Sequence, residues 1–281
     1  MEIKMFNLQI KIYKSVLILL FAVNSLSIFA GTEITMIMQS PGSDSEKYST
    51  ISMENNNLRF SSSEKNNNSE TQQMIYLGES ETMLMIDHPN RSYTKIDQET
   101  MNEISGKMSA AMKQMEAQLA NMPAAQREMM EKMMQGKMPG MADKPEKKDF
   151  VFKETSRTDS VADYQCKITE MYLDGKKDRE FCVTSWSNIG NSEEIHASFE
   201  GMLNLFQKMF ESFSKQFPVN IKLPFSEIQE LDGYPIIVTE FNADKITNVT
   251  RLVSIKEKSF PKYYFSIPEG YNRTEMMNPG R

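Results

Sequence analysis

Apolar and polar positions alternate along the first part of the chain. "EITMIMQS" sets Ile34, Met36 and Met38 on one face of an extended segment. The following "KYSTISMENNNLRFSSSEKNNNSETQQMIYLGESETMLMIDHPNRSYTKID" breaks at 55–57, 66–68, 78–80 and 88–91. These Asn-, Ser- and Gly-rich breaks carry turn chemistry at spacings that predict a meander of antiparallel strands.

The period changes at Gln98. Met101, Ile104, Met108, Met112, Met115, Leu119 and Met122 recur at three- and four-residue intervals, the stripe of an amphipathic helix. Pro123 suits the first turn of a second, shorter helix bearing Met129, Met130, Met133 and Met134, which dissolves at Gly136. A mobile-looking loop follows over 139–148. Strand patterning returns in "DFVFKETSRT" and in "YQCKITEMYL" and "KKDREFCVTSW", a hairpin around Asp174-Gly175.

A further helix starts after Asn191, a predicted N-cap with Glu194 three residues on in the manner of a capping box. Its apolar face is Ile195, Phe199, Met202, Phe206, Met209, Phe210 and Phe213, and Pro218 stops it. The remainder reads as three or four strands with turns at Asp232-Gly233 and 242–244. The pattern predicts an α+β fold of about ten strands: one domain over 31–281, a curved antiparallel sheet. Helical insertions over about 98–136 and 191–217 cover its concave face.

The first thirty residues stand apart. Lys4, Lys11 and Lys14 precede an apolar core, Ser15 to Val23, and a small-residue approach to a cleavage point after Ala30. The run is shorter than the roughly 20 residues a membrane span needs, so residues 1–30 read as a cleaved signal peptide. No cysteine lies near that point for lipidation. Export then leaves a soluble periplasmic protein with no transmembrane span.

Charge removes one class of partner. The net charge of −6 has no basic cluster to neutralise phosphates, which argues against nucleic acid. Cys166 and Cys182 are the two cysteines. They lie opposite each other if the hairpin turn is centred on Asp174, and a cross-strand disulfide of an oxidising compartment is the expected state. A redox dithiol favours Cys-x-x-Cys at a helix start, and that motif is absent.

The order of motifs resembles a family. "LMIDHPNRSYTKID", "NMPAAQREMMEKMM", "C…DGKKDREFCV", "LDGYPIIVTEF" and "FSIPEGY" in sequence look like the bacterial exported family known as domain of unknown function 4412. That family is similar to LolA/LppX-like carriers of lipoproteins and lipids. The resemblance implies a half-open barrel lidded by helices around an apolar cavity, and brings no catalytic residues with it.

Candidate chemistry is sparse. His88 sits in a turn and His196 in the first turn of a helix, and neither has a positioned partner for nucleophilic catalysis. "SFSK" at 212–215 lacks the companion Lys-Thr-Gly motif. Zinc and calcium find no suitably spaced ligands. Methionine is the unusual feature, with eight of the 24 between residues 115 and 141.

Met112 with Met115, Met130 with Met133 or Met134, and Met138 with Met141 have spacings that offer thioethers to Cu(I). Against copper, the first helix's methionines share their stripe with Ile104 and Leu119, and no histidine or cysteine accompanies them. Methionine also fills irregular apolar space and lines adaptable surfaces. The expectation is a non-enzymatic carrier of a lipid, acyl chain or lipoprotein, needing no cofactor. A copper binder and a purely structural envelope protein are the alternatives.

Overall fold

The computed structural model describes residues 31–64, 72–121, 123, 126, 150–214 and 230–275. The expected signal peptide over 1–30, the second helix expected after Pro123, the loop expected over 139–148 and residues 215–217 lie outside the described residues or almost wholly so.

Two meanders build the sheet. The first is β1 (Gly31–Gln39), β2 (Glu46–Glu54), β3 (Asn57–Glu64), β4 (Gln72–Leu77), β5 (Thr82–Asp87) and β6 (Ser92–Ile96). The second is β7 (Phe150–Val161), β8 (Tyr164–Leu173), β9 (Lys176–Thr184), β10 (Tyr234–Asn242) and β11 (Lys245–Lys258). Helix α1 (Gln98–Ala120) follows the first meander, and α2 (Ser192–Ser214) is inserted between β9 and β10. A two-residue strand, β12 (Asn272–Arg273), pairs with β6 and makes the one parallel contact among the described strands.

All twelve described strands lie in one open sheet, ordered β12-β6-β5-β4-β3-β2-β1-β11-β10-β9-β8-β7. The expected count is about ten, and the three or four strands expected after α2 are two long ones, β10 and β11, with the two-residue β12. The long-range pairing of β1 with β11 welds the two meanders, with Ile34 opposite Ile255. At the far end the sheet curls enough for β7 to approach β11.

Local chemistry explains the tight turns. Asn55 (φ 53°) and Asn56 (φ 59°) both occupy the left-handed region that asparagine tolerates, which matches the twist of β2 and β3. Asp174 (φ 51°) and Gly175 (φ 76°) do the same between β8 and β9. The turn is thus centred between those two residues, and the ladder slips once more between Met171 and Tyr172.

Direct opposition of the cysteines is therefore corrected. Cys182 faces Ile168, and Cys166 lies two places along its strand. The disulfide forms diagonally, with Cα atoms 5.2 Å apart.

Both faces of the sheet are apolar. On one, which we call the front, Ile34, Met36, Met53, Leu58, Tyr76, Met83 and Ile96 join Cys166, Cys182, Ile236 and Leu252 in a single cluster with the two helices. On the back, residues 260–271 cross β4 and β5, burying Phe260 and Phe265 against Ile75, Leu84 and Ile86.

Candidate functional site

Helix α1 enters the front cluster by its N-terminal half and α2 along most of its length. Helix α1 begins where Asp97 accepts a hydrogen bond from the Thr100 N–H at 2.9 Å, an N-cap in extended conformation. Met101 and Ile104 are buried, and Met108 packs against them from a half-buried position. Beyond Met108, the helix turns exposed side chains outward at Ala111, Lys113, Gln114, Ala117 and Gln118, while Leu119 is half-buried. The side chains of Met112 and Met115, and the whole of Met122, Met130 and Met133, lie outside the described residues, so the structure does not bear on the copper set.

Helix α2 is the deeper of the two. Its buried line runs Ile195, Ser198, Met202, Leu205, Met209, spaced three and four apart. Phe199 and Phe206 flank it, half-buried, and the side chain of Phe213 lies outside the described residues. The sequence stripe missed Leu205, which is one short turn from Met202, and Ser198, whose polarity hides it.

Asn191, before the helix, takes a left-handed backbone (φ 55°) rather than the extended one of an N-cap. Its side-chain amide donates to Thr32 Oγ1 at 3.1 Å, because the helix start is pinned to β1. Glu194 Oε1 accepts from the Asn55 N–H at 3.0 Å, tying the helix to the β2–β3 turn. Burial pushes the Glu194 carboxyl above its usual range, against the pull of that N–H. Further along, Lys208 Nζ reaches both carboxylate oxygens of Glu81 at 2.7 Å.

Methionine is frequent in the seam between helices and sheet, alongside isoleucine and leucine. Met36, Met53, Met83, Met101, Met202 and Met209 are buried in it, with Met74 and Met108 half-buried at its edge. Met85, two residues from Met83 on the same strand face, is exposed. The helical methionines cluster in the sequence, whereas those the strands supply are scattered and read as ordinary apolar positions.

The second meander carries a charged clasp instead. Arg157 Nη2 lies 2.7 Å from Glu170 and 2.6 Å from Glu180, and Lys177 pairs with both carboxylates. Hydrogen bonds from Tyr172 and Lys177 hold the Glu170 carboxyl below its usual range. The groups satisfy one another across β7, β8 and β9, as a structural network does.

The histidines are separate. His88 lies 2.8 Å from the Tyr271 hydroxyl and 3.0 Å from Gln73 Oε1. His196 is exposed and packs edge-on to Trp186. Among the described residues, no three His, Cys, Asp or Glu side chains group as metal ligands, and no helix is long and apolar enough to cross a membrane.

An open antiparallel sheet with two inserted helices on a methionine-rich face defines the architectural class. The chain belongs to the family described as domain of unknown function (DUF4412), whose profile matches residues 95–271. No curated protein matches it. Three solved structures are similar at low identity. A structure of PNGF-II is 12% identical with a TM-score of 0.37, over 87% of this chain and 30% of that one. MucB is 7% identical with a TM-score of 0.35, over 89% of this chain and 63% of that one.

The LolA superfamily protein NE2245 from Nitrosomonas europaea is 7% identical with a TM-score of 0.26, over 85% of this chain and 91% of that one. The chain thus spans less than a third of PNGF-II and under two thirds of MucB. None of the three bears on what this chain binds.

Proposed function

We propose that this protein is an exported, non-enzymatic carrier of an apolar ligand: a lipid, an acyl chain or the lipid end of a lipoprotein. The ligand enters between the helices and the front of the sheet, with α1 and α2 as lids over a concave half-barrel. The observation that carries this reading is the seam itself, where the isoleucines and leucines are joined by buried methionines, unbranched side chains supplied by three strands and both helices. Such side chains repack at small cost around ligands of different shape, where Ile or Val would hold one shape.

Topology supports it as well. Both helices are insertions outside the ladder, so lifting them breaks no strand pairing. The Cys166–Cys182 disulfide suits an oxidising compartment outside the cytoplasm.

Native mass spectrometry of the full chain, expressed with its first thirty residues and purified from the periplasm without detergent, tests the proposal. A co-purifying lipid mass is expected. A clean ligand-free mass, with no shift on adding lipid, would sink it.

A further inference from the structure

Ser198 is the odd residue of the seam. It sits on α2 between Ile195 and Met202, its side chain is 0% exposed, and its hydroxyl has no hydrogen-bond partner. A helical serine ordinarily returns its proton to the carbonyl four residues back or points it to water. Here it does neither. An unmade hydrogen bond in an apolar layer costs stability, and alanine would fill nearly the same space with better helix propensity. The position therefore carries a hydroxyl at a cost that packing does not return.

One turn on, the helix is cut back to glycine. A Cβ at Gly201 would come within 2.9 Å of the Tyr76 hydroxyl, so the phenol of β4 rests against the α2 backbone there. Residues three apart share a helix face, which puts a second polar atom on the same seam as Ser198. Among the described residues, the buried polar side chains are Ser, Thr, Gln and the phenols of Tyr76 and Tyr234, and none is charged. A carboxylate entering this layer would find no counter-charge, whereas a neutral carbonyl needs only a donor.

We infer that Ser198 is the binding residue for the acyl carbonyl of an ester- or amide-linked lipid, its hydroxyl donating to that oxygen while the methionines hold the chain. The inference rests on the carrier reading and names its ligand class: neutral acyl esters or amides rather than free fatty acids or plain hydrocarbons.

Displacement of N-phenylnaphthylamine fluorescence from the full protein by methyl laurate, laurate and tridecane tests it, in the natural chain and in S198A. Methyl laurate should displace the dye at about five- to tenfold lower concentration than the other two, the range of one net hydrogen bond. S198A should lose that advantage, leave tridecane unchanged and unfold at the same temperature or higher. Equal weakening of ester and alkane in S198A, or no change in either, overturns the anchor. Laurate binding tightest overturns the neutral class. If neither the dye nor any chain binds the natural protein, the carrier reading falls and the anchor with it.

Discussion

On β4 and β5, Tyr76, Met74 and Met83 belong to the front cluster, while Ile75, Leu77, Leu84 and Ile86 belong to the back one. The same short strands thus feed two layers that are closed differently. On the back, Phe260 stacks on Tyr264 at 4.6 Å and meets Phe265 edge-on at 5.5 Å. The Arg59 guanidinium lies 4.2 Å from the Tyr264 ring centroid, and the Tyr264 hydroxyl is 3.0 Å from Ser52 Oγ. Each of these contacts has a preferred geometry, so the covering segment has one seat.

On the front, two helices press methionine, isoleucine and leucine onto the strands, and the polar ties are to Thr32, Asn55 and Glu81. Area holds the front, and geometry holds the back. A carrier of the proposed kind, opening on one side while staying folded, has reason to differ in this way.

The largest effect is expected on the back. Phe265→Ala should cost about 3–4 kcal/mol in urea unfolding, because the aromatic neighbours cannot close the space. A cost below about 1 kcal/mol would break the comparison. Next comes the cross-link of the second meander. Cys166→Ser with Cys182→Ser should cost about 3 kcal/mol in the same assay, as expected for residues 16 apart. That loss should be matched by adding a reductant to the natural protein and should leave the back-face effect of Phe265→Ala additive.

The start of α1 offers a smaller and pH-dependent effect. Burial pushes the Asp97 carboxyl up, but hydrogen bonds from Lys95 and Thr100 outweigh it and bring it to about 2. Its folded value is therefore below its unfolded one. The cap is fully stabilising above about pH 4 and is lost as the pH falls through about 2. Asp97→Ala should cost about 1–1.5 kcal/mol at neutral pH, and the gap to the natural protein should close over that acid window. Thermal unfolding at a series of pH values measures both, and a gap that persists at pH 2 argues against the cap.

Local signals were readable in the chain and long-range ones were not. Asn55-Asn56 and Asp174-Gly175 announce their turns because the required backbone region is built into those residue types. The buried faces of α1 and α2 follow from spacing, since Met101, Ile104, Ile195 and Met202 recur with the helical period. Pairing of Cys166 with Cys182 was legible, but its diagonal register was not, because the slip at Met171 depends on how β8 and β9 fit their neighbours.

The joining of β1 to β11, more than two hundred residues apart, leaves no periodic trace. Neither does β12, whose two residues pair with β6 because the aromatic segment before them is fixed. Ser198 was hidden for the opposite reason: in a stripe defined by hydrophobicity, a buried hydroxyl reads as a gap.

The smallest stability effect carries the sharpest test of the two-layer contrast. Met202→Leu nearly conserves volume at a fully buried seam position and should cost about 0.5–1 kcal/mol or less in unfolding. Leucine, branched at Cγ, has fewer ways to refill space when a neighbour moves. If the front works by repacking, the substitution should leave affinity for one well-fitting chain length nearly unchanged and weaken shorter and longer acyl esters, narrowing the range accepted in a dye-displacement series. Stability and ligand range would then separate at one residue. If every chain length weakens equally, or none does, methionine is ordinary filling there, and the front differs from the back in composition but not in purpose.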